Sequence, residues 1–332
     1  MKTGLQALFS LYPWEAGVKT SGSGRRLVQL KKARRALPKS VRFKSYFIKY
    51  ERGALQTKKI HIEKDSVQET LIIPLYGRKM CAEKFPTLYT DTTAQTLCES
   101  LDYDFSPLEA KKDTLFHEFG ALEAAMRQLD MAWEINDYLK LHPKAVIVNL
   151  GCGLDNTGRA CDNGTCKIVN VDLPDVIAVR ERLMPAEERE KNITADIKDC
   201  EWMNEVDGTN GVIFFAAGVF HYFETEKVKD LVLRLSKRYP GGRLIFDAVG
   251  KRGLKMMKRT VLKNMGMKDI DVLFCVNDPA RDLNWSDKIT VTSKGYMLGY
   301  YDMKTKGIRW THRLLAKMGD RWLKMTVYRM DF

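Results

Sequence analysis

Val146-Ile147-Val148-Asn149-Leu150-Gly151-Cys152-Gly153-Leu154-Asp155 is a short apolar run that flows into a Gly-x-Gly turn. A second apolar run, Lys167-Ile168-Val169-Asn170-Val171, follows it and closes on Asp172, 19 residues after Gly153. A strand, a glycine turn and an acid ending the next strand are how α/β sheets hold the adenosine half of a nucleotide-like cofactor. The glycines let backbone N–H groups approach the ligand, and the acid accepts hydrogen bonds from two ribose hydroxyls.

The turn does not complete a dinucleotide fingerprint. Such a fingerprint needs a third glycine where this chain has Asn156, and Asp155 stands where a pyrophosphate would meet a helix N-terminus. A carboxylate at that place repels an anion. S-adenosylmethionine carries no phosphate, and its sulfonium and ammonium groups are positive, so it suits the turn better than a dinucleotide does.

Around the turn the chain divides into three stretches. Residues 1–62 hold 15 of the 55 Lys and Arg but only 2 of the 42 Asp and Glu, which accounts for the whole net charge of +13. They read as a basic extension, either a poorly ordered arm or one that binds RNA or an anionic membrane. The remaining residues carry 40 charges of each sign, so the body gives no electrostatic footprint for nucleic acid.

Residues 63–142 read as a helical cap. One helix is expected over Glu69–Met80, kinked or delayed by Pro74, and a longer one over Thr114–Leu141, with Leu115, Phe119, Leu122, Met126, Leu129, Trp133 and Ile135 on or near one face. From residue 143 the period changes to short apolar runs alternating with helical patterns. Strands are expected at 145–150, 166–171, 191–196, 211–216, 242–248, 287–293 and 323–331, with helices near 156–161, 174–186, 200–206, 224–239, 251–265 and 311–317. That is a Rossmann-like, seven-stranded, doubly wound α/β sheet.

No run approaches about 18 consecutive apolar residues, so no membrane span is expected. The first ten residues lack the apolar length of a signal peptide, and the expected compartment is the cytoplasm. Seven cysteines in no C-x-x-C pair give neither zinc spacing nor a disulfide framework, and no metal is expected.

Four stretches in order, "VIVNLGCGLDN", "VNVDLPDVIAVRERLMP", "ITADIKD" and "FFAAGVFHYF", resemble the class I S-adenosylmethionine-dependent methyltransferases. Within them the chain is similar to the leucine carboxyl methyltransferase family and its tetracenomycin polyketide O-methyltransferase branch. The likeness starts near Glu69 ("ETLIIPLYGR") and leaves out the basic extension.

The resemblance implies roles for particular residues. Gly151, Cys152 and Gly153 would bring the turn against the methionine part of the cofactor, with Asn149 and Asp155 shaping it. Asp172 would bind the ribose, with Leu173 and Pro174 along the adenine; otherwise Asp172 caps the next helix. Asp196 and Ile197 would meet the adenine, and Arg127 would grip the cofactor carboxylate as a bidentate pair. Where the family often reads Ala-Glu-Gly, the glutamate meeting the cofactor ammonium, this chain has Ala216-Ala217-Gly218, so that carboxylate is missing.

The expected activity is methyl transfer to a hydroxyl or carboxyl oxygen of a small, polyketide-like acceptor. His221 and Tyr222 are the candidate catalytic side chains, with local structural roles as the other reading, and Tyr76 and Arg78 are candidate substrate contacts. An apolar insertion over about 253–310 (Met256, Met257, Met265, Met267, Phe274, Trp285, Tyr296, Met297, Tyr300, Tyr301) is either core or the wall of a pocket for a flat, lipophilic molecule. Methylation of a protein C-terminal carboxyl, and binding of S-adenosylmethionine without turnover, stay open as alternatives.

Overall fold

The computed structural model describes residues 59–62, 70–259, 273–305 and 307–332, and these hold nine strands and seven principal helices. The two shortest strands, β1 (Ile60–His61) and β2 (Leu101–Asp102), pair in parallel beside the cap. The other seven, β3 (Val146–Leu150), β4 (Lys167–Asp172), β5 (Glu190–Thr194), β6 (Val212–Ala216), β7 (Arg243–Ala248), β8 (Thr290–Gly295) and β9 (Thr326–Asp331), form one sheet in the order β5-β4-β3-β6-β7-β9-β8.

All seven expected strands are present, with ends moved by up to three residues. The first five run parallel; β9 enters antiparallel between β7 and β8. The order reverses beside β3. β4 and β5 lie on one side of it, β6 and β7 on the other, and that reversal opens a crevice at the strands' C-terminal ends.

Alternation along the buried strands feeds two cores. Val212, Phe214 and Ala216 face one layer with Val228, Leu231, Val232 and Leu235 of helix α5 (Thr225–Arg238). Ile213 and Phe215 face the other, with Leu122, Met126 and Ile135 of helix α3 (Leu115–Leu141). Both faces are covered, which is why β6 reads as an unbroken apolar run.

The cap is helical as expected, with a helix that periodicity did not reveal, α2 (Thr92–Ser100), capped by Asp91 accepting from the Ala94 amide. Helix α1 (Ile72–Lys84) begins three residues after Glu69 and places Pro74 in its first turn, where no intrahelical N–H bond is lost. Proline delays this helix rather than kinking it. A Cβ on Gly77 would stand 2.9 Å from that of Ala124, so α1 crosses α3 at a contact only a glycine allows. On α3 itself the expected stripe is partly wrong: Trp133 is exposed, and Asp130 and Glu134 are buried among the apolar residues instead.

Two sequence expectations change at the edges. Ile60 and Ile62, expected in the basic extension, are buried with Ile72, Leu75, Leu97 and Leu154, so the body starts upstream of residue 63. The described aromatic residues of the apolar insertion are largely core: Phe274 packs under β7, and Tyr300 and Tyr301 pack on α3, their hydroxyls donating to the Glu134 carboxylate and the Leu129 carbonyl. The helix expected over 251–265 is described as α6 (Lys251–Met257), and Met265 and Met267 lie outside the described residues. The rest of the basic extension, through residue 58, lies outside them as well.

Because Ile62 is almost fully buried at the seam between the cap and the sheet, Ile62→Ala is expected to cost about 2–5 kcal/mol. Urea unfolding measures it; an unchanged midpoint would place residue 62 outside the cooperative unit.

Candidate active site

The crevice beside β3 holds a cavity of about 670 Å³, within the usual size for small-molecule sites. Segments following β3, β4, β5, β6 and β7 all line it, as do α1 and α3 from above. With strands about 4.8 Å apart, five consecutive strand ends span about 19 Å.

The glycine turn forms its floor. Gly151 sits at φ +65°, and a Cβ there would be 2.6 Å from Val219 Cγ2, so a side chain is excluded by both conformation and space. Cys152 is fully buried, and burial pushes its thiol pKa up, as befits a packing residue.

Two buried arginines hold this turn. Arg180, on helix α4 (Pro174–Leu183), donates from Nη1 to the carbonyls of Gly153 (2.9 Å) and Asp155 (2.8 Å), while its Nη2 pairs with Glu190. Arg78, on α1, donates to the Leu154 carbonyl (2.9 Å) and to Asn156 Oδ1 (2.8 Å). Asp155 accepts from the backbone and hydroxyl of Thr157, from Gln128 and weakly from Asn149.

Asp172 ends β4 under the turn. Its Oδ2 accepts from the Gly153 amide and its Oδ1 from its neighbour Leu173, each at 2.8 Å. The N-cap of α4 is Leu173, and no side chain bonds to it, so Asp172 is not the helix cap. Burial raises its carboxyl pKa, against the pull of the two amides. Asp196 turns back to accept from the Lys198 amide (3.0 Å) and lines the cavity with Ile197.

Across the cavity lies an arrangement that sequence reading found only in part. Asp247, near the end of β7, accepts from the Gly218 amide (2.6 Å) and faces His221 Nε2 (3.4 Å) and Arg127 Nη1 (3.6 Å). Burial alone would raise its carboxyl pKa; the hydrogen bond from His221, the Arg127 charge and the Gly218 amide hold it at about 2. Gly218 is at φ +72°, and a Cβ would fall 2.5 Å from Arg127 Nη1, so the guanidinium lies against this glycine. His221 is buried on a short 3₁₀ turn, and its Nδ1 has no hydrogen-bond partner among the described residues. Glu123, one helical turn before Arg127, also lines the cavity, its pKa raised by burial against the pull of Arg127.

The site thus gathers Arg127, Gly151, Cys152, Gly153, Asp155, Asp172, Leu173, Asp196, Ile197, Ala217, Gly218, His221 and Tyr222 around one cavity. Asn149 stands behind it, buried under the turn. Tyr76 is not brought there: it is buried in the cap and stacks on Phe105 (5.6 Å). Arg78 reaches the lining, but with its guanidinium engaged by the turn and by Asp91. Of the apolar insertion, Met257 and Tyr296 line the cavity. Arg180, Asp247 and Glu123 are residues that sequence reading missed.

Comparison with known proteins follows the same line. No family model matches the chain. Over 198 residues, 59% of its length, the chain is 32% identical to the tetracenomycin polyketide synthesis O-methyltransferase TcmP of Streptomyces glaucescens, and it covers 71% of that protein. The chain belongs to this family of S-adenosylmethionine-dependent methyltransferases. Two solved structures share its fold at low identity. One, from Thermobifida fusca, is classed as a methyltransferase (14% identity, TM-score 0.52, 81% of this chain and 94% of that one). The other is a DUF574 family protein of Streptomyces avermitilis (12% identity, TM-score 0.51, 77% and 96%). The sheet order and the antiparallel β9 are therefore those of a class I methyltransferase fold.

Two outcomes test this geometry. Arg180→Met keeps the apolar stem but removes two charged hydrogen bonds to the turn and the pair with Glu190, and is expected to cost about 3–5 kcal/mol and to speed amide exchange over residues 153–157. Unchanged exchange there would remove Arg180 as the holder of the turn.

The depressed Asp247 carboxyl stabilises the fold above the unfolded carboxylate pKa near 3.9, by about 2–3 kcal/mol at neutral pH, and loses that contribution as pH falls toward 2. The stability gap between the parent and Asp247→Asn should therefore narrow between about pH 4 and pH 2. A gap independent of pH would refute the ion arrangement.

Proposed function

We propose that this methyltransferase acts on an oxygen of a small, largely apolar acceptor, with S-adenosylmethionine held along the β3–β6 crevice. The observation that carries the reading is a single cavity running from the fixed carboxylate of Asp172 to the Asp247–His221–Arg127 group. The residues fit the cofactor. A glycine floor leaves room for a ligand where a Cβ would close it, Asp172 accepts from ribose hydroxyls, and Arg127 can grip a carboxylate. Glu123 and Asp247 supply, from α3 and β7, the negative charge that Ala217 does not.

When bound, S-adenosylmethionine supplies a methyl group on a positively charged sulfur. The protein then mainly has to align an oxygen with it and exclude water. Asp247 at Nε2 favours the His221 tautomer that leaves Nδ1 as an acceptor. A phenol or enol gains from losing its proton to such a base, whereas a carboxylate is already ionised at neutral pH. Apolar groups dominate the lining near Met257, Val219, Val249 and Met325, which suits a flat or lipophilic acceptor. TcmP, named for an O-methylation in polyketide synthesis, supports oxygen as the accepting atom.

The test is release of S-adenosylhomocysteine against a panel of phenols, carboxylic acids and peptides. Turnover of phenols or small carboxylic acids, but not of peptides, is expected; turnover of a peptide C-terminus alone would replace this reading. Asp172→Ala should weaken S-adenosylmethionine binding by tenfold or more in calorimetry, and an unchanged Kd would break the ribose assignment. His221→Ala should lower kcat on a hydroxyl acceptor by about 10²–10⁴ and hardly alter a carboxylate acceptor.

A further inference from the structure

Between Arg309 and Trp322 the sequence repeats a pair of residues every fourth position: Arg309-Trp310, Arg313-Leu314, Lys317-Met318, Arg321-Trp322. Helix α7 (Trp310–Met318) and the π-helical turn Gly319–Leu323 turn this repeat into two parallel ridges. His312 and Ala316 face inward and are buried. The apolar ridge faces outward: Trp310 is 72% exposed, Leu314 47%, Met318 41% and Trp322 61%.

Beside it runs the basic ridge. Arg309 pairs with Glu118, whereas Arg313, Lys317 and Arg321 have no ion pair among the described residues. Next to the ridge, α6 extends both features. Arg252 lies over the Trp322 ring (5.8 Å), Lys251 and Lys255 are exposed, Met256 is 45% exposed, and Met257 lines the cavity.

A soluble helix has no use for four large apolar side chains in water at successive turns. We infer that this face docks on an anionic lipid surface, with the Trp310–Trp322 ridge in the headgroup and acyl boundary and the Arg313–Arg321 ridge against lipid phosphates. Tryptophan at both ends of an apolar stripe with Lys and Arg alongside is the composition of an interfacial helix.

Other occupants fit less well. A second copy on the same face would set one basic ridge against another across a two-fold axis. Single-stranded nucleic acid needs π faces for its bases, and the middle of the ridge is Leu314 and Met318. Met257, on the neighbouring helix α6, lines the cavity, which gives a lipophilic acceptor a route from the bilayer. Docking itself is independent of the methyl-transfer reading.

The experiment uses the full chain and sedimentation with phosphatidylcholine vesicles containing 30% phosphatidylglycerol (~30%, enough to give the surface a negative potential), against pure phosphatidylcholine. Residues 1–62 stay in every variant, so any binding by that basic extension is common to all. The parent should bind the anionic vesicles, and less so as salt rises toward about 1 M and the screening length shrinks to about 3 Å. Arg313→Gln/Lys317→Gln/Arg321→Gln should lower partitioning by about a hundredfold. Trp310→Ser/Trp322→Ser should lower it as well and abolish the blue shift of tryptophan fluorescence on binding.

Both variants should keep the parent's cooperative melting and S-adenosylhomocysteine affinity, because the altered side chains are at the surface. Three results would each overturn the inference. One is no parental binding to anionic vesicles; another is binding unchanged in both variants. The third is a dimer, or a complex with an acidic protein or RNA, that the variants dissolve while vesicle binding persists.

Discussion

Two buried guanidinium groups, Arg78 from the cap and Arg180 from the helix after β4, hold the carbonyls of the turn between Gly153 and Asp155. A Gly-x-Gly turn is soft because both glycines can adopt many conformations. Carbonyls fixed from two sides remove that freedom before any ligand arrives. The cap is joined to the sheet through the same contact, since Arg78 also faces Asp91 at the start of α2. A feature read at first as a cofactor signature is therefore also the joint on which the two layers meet.

Opposite this joint the cavity is built on charge. Asp247, Arg127, His221 and Glu123 gather on one side of the cavity, largely buried, where reduced solvent screening strengthens their interactions. Ala217 brings no carboxylate to the lining, and Glu123 and Asp247 are the carboxylates on this side of the cavity. Asp247 comes from the next strand and reaches back to the Gly218 amide, so the backbone of the altered segment is still tied to a carboxylate.

The fold was legible because a parallel sheet covered on both faces writes its strands as unbroken apolar runs, and all seven were found to within three residues. β1 and β2, with two residues each, leave no period to read. The candidate site was legible where an acid closes a strand or lies just past its end, as Asp172 and Asp196 do. Asp247 follows the same grammar, an acid after Arg243-Leu244-Ile245-Phe246, and could have been found by it. Arg180 could have been suspected only from its place four residues after Val176, on the apolar face of α4. Tyr76 went wrong because an aromatic on a helix facing a sheet is more often core than site. The partners of Arg78 come from distant segments, which no local pattern contains.

The antiparallel β9 has a consequence for how the molecule comes together. Among the described residues β8 pairs only with β9, and β9 lies between β7 and β8. Hydrogen bonding between β7 and β9 therefore depends on contacts between residues about 80 positions apart, Arg243 with Asp331 among them. Such pairings close long loops and form slowly. The parallel half, whose pairings β3–β4, β4–β5 and β6–β7 join strands consecutive in sequence, can assemble while the other edge is still open, and until β9 inserts, the edge of β7 is the place where a nascent chain would pair with the wrong partner.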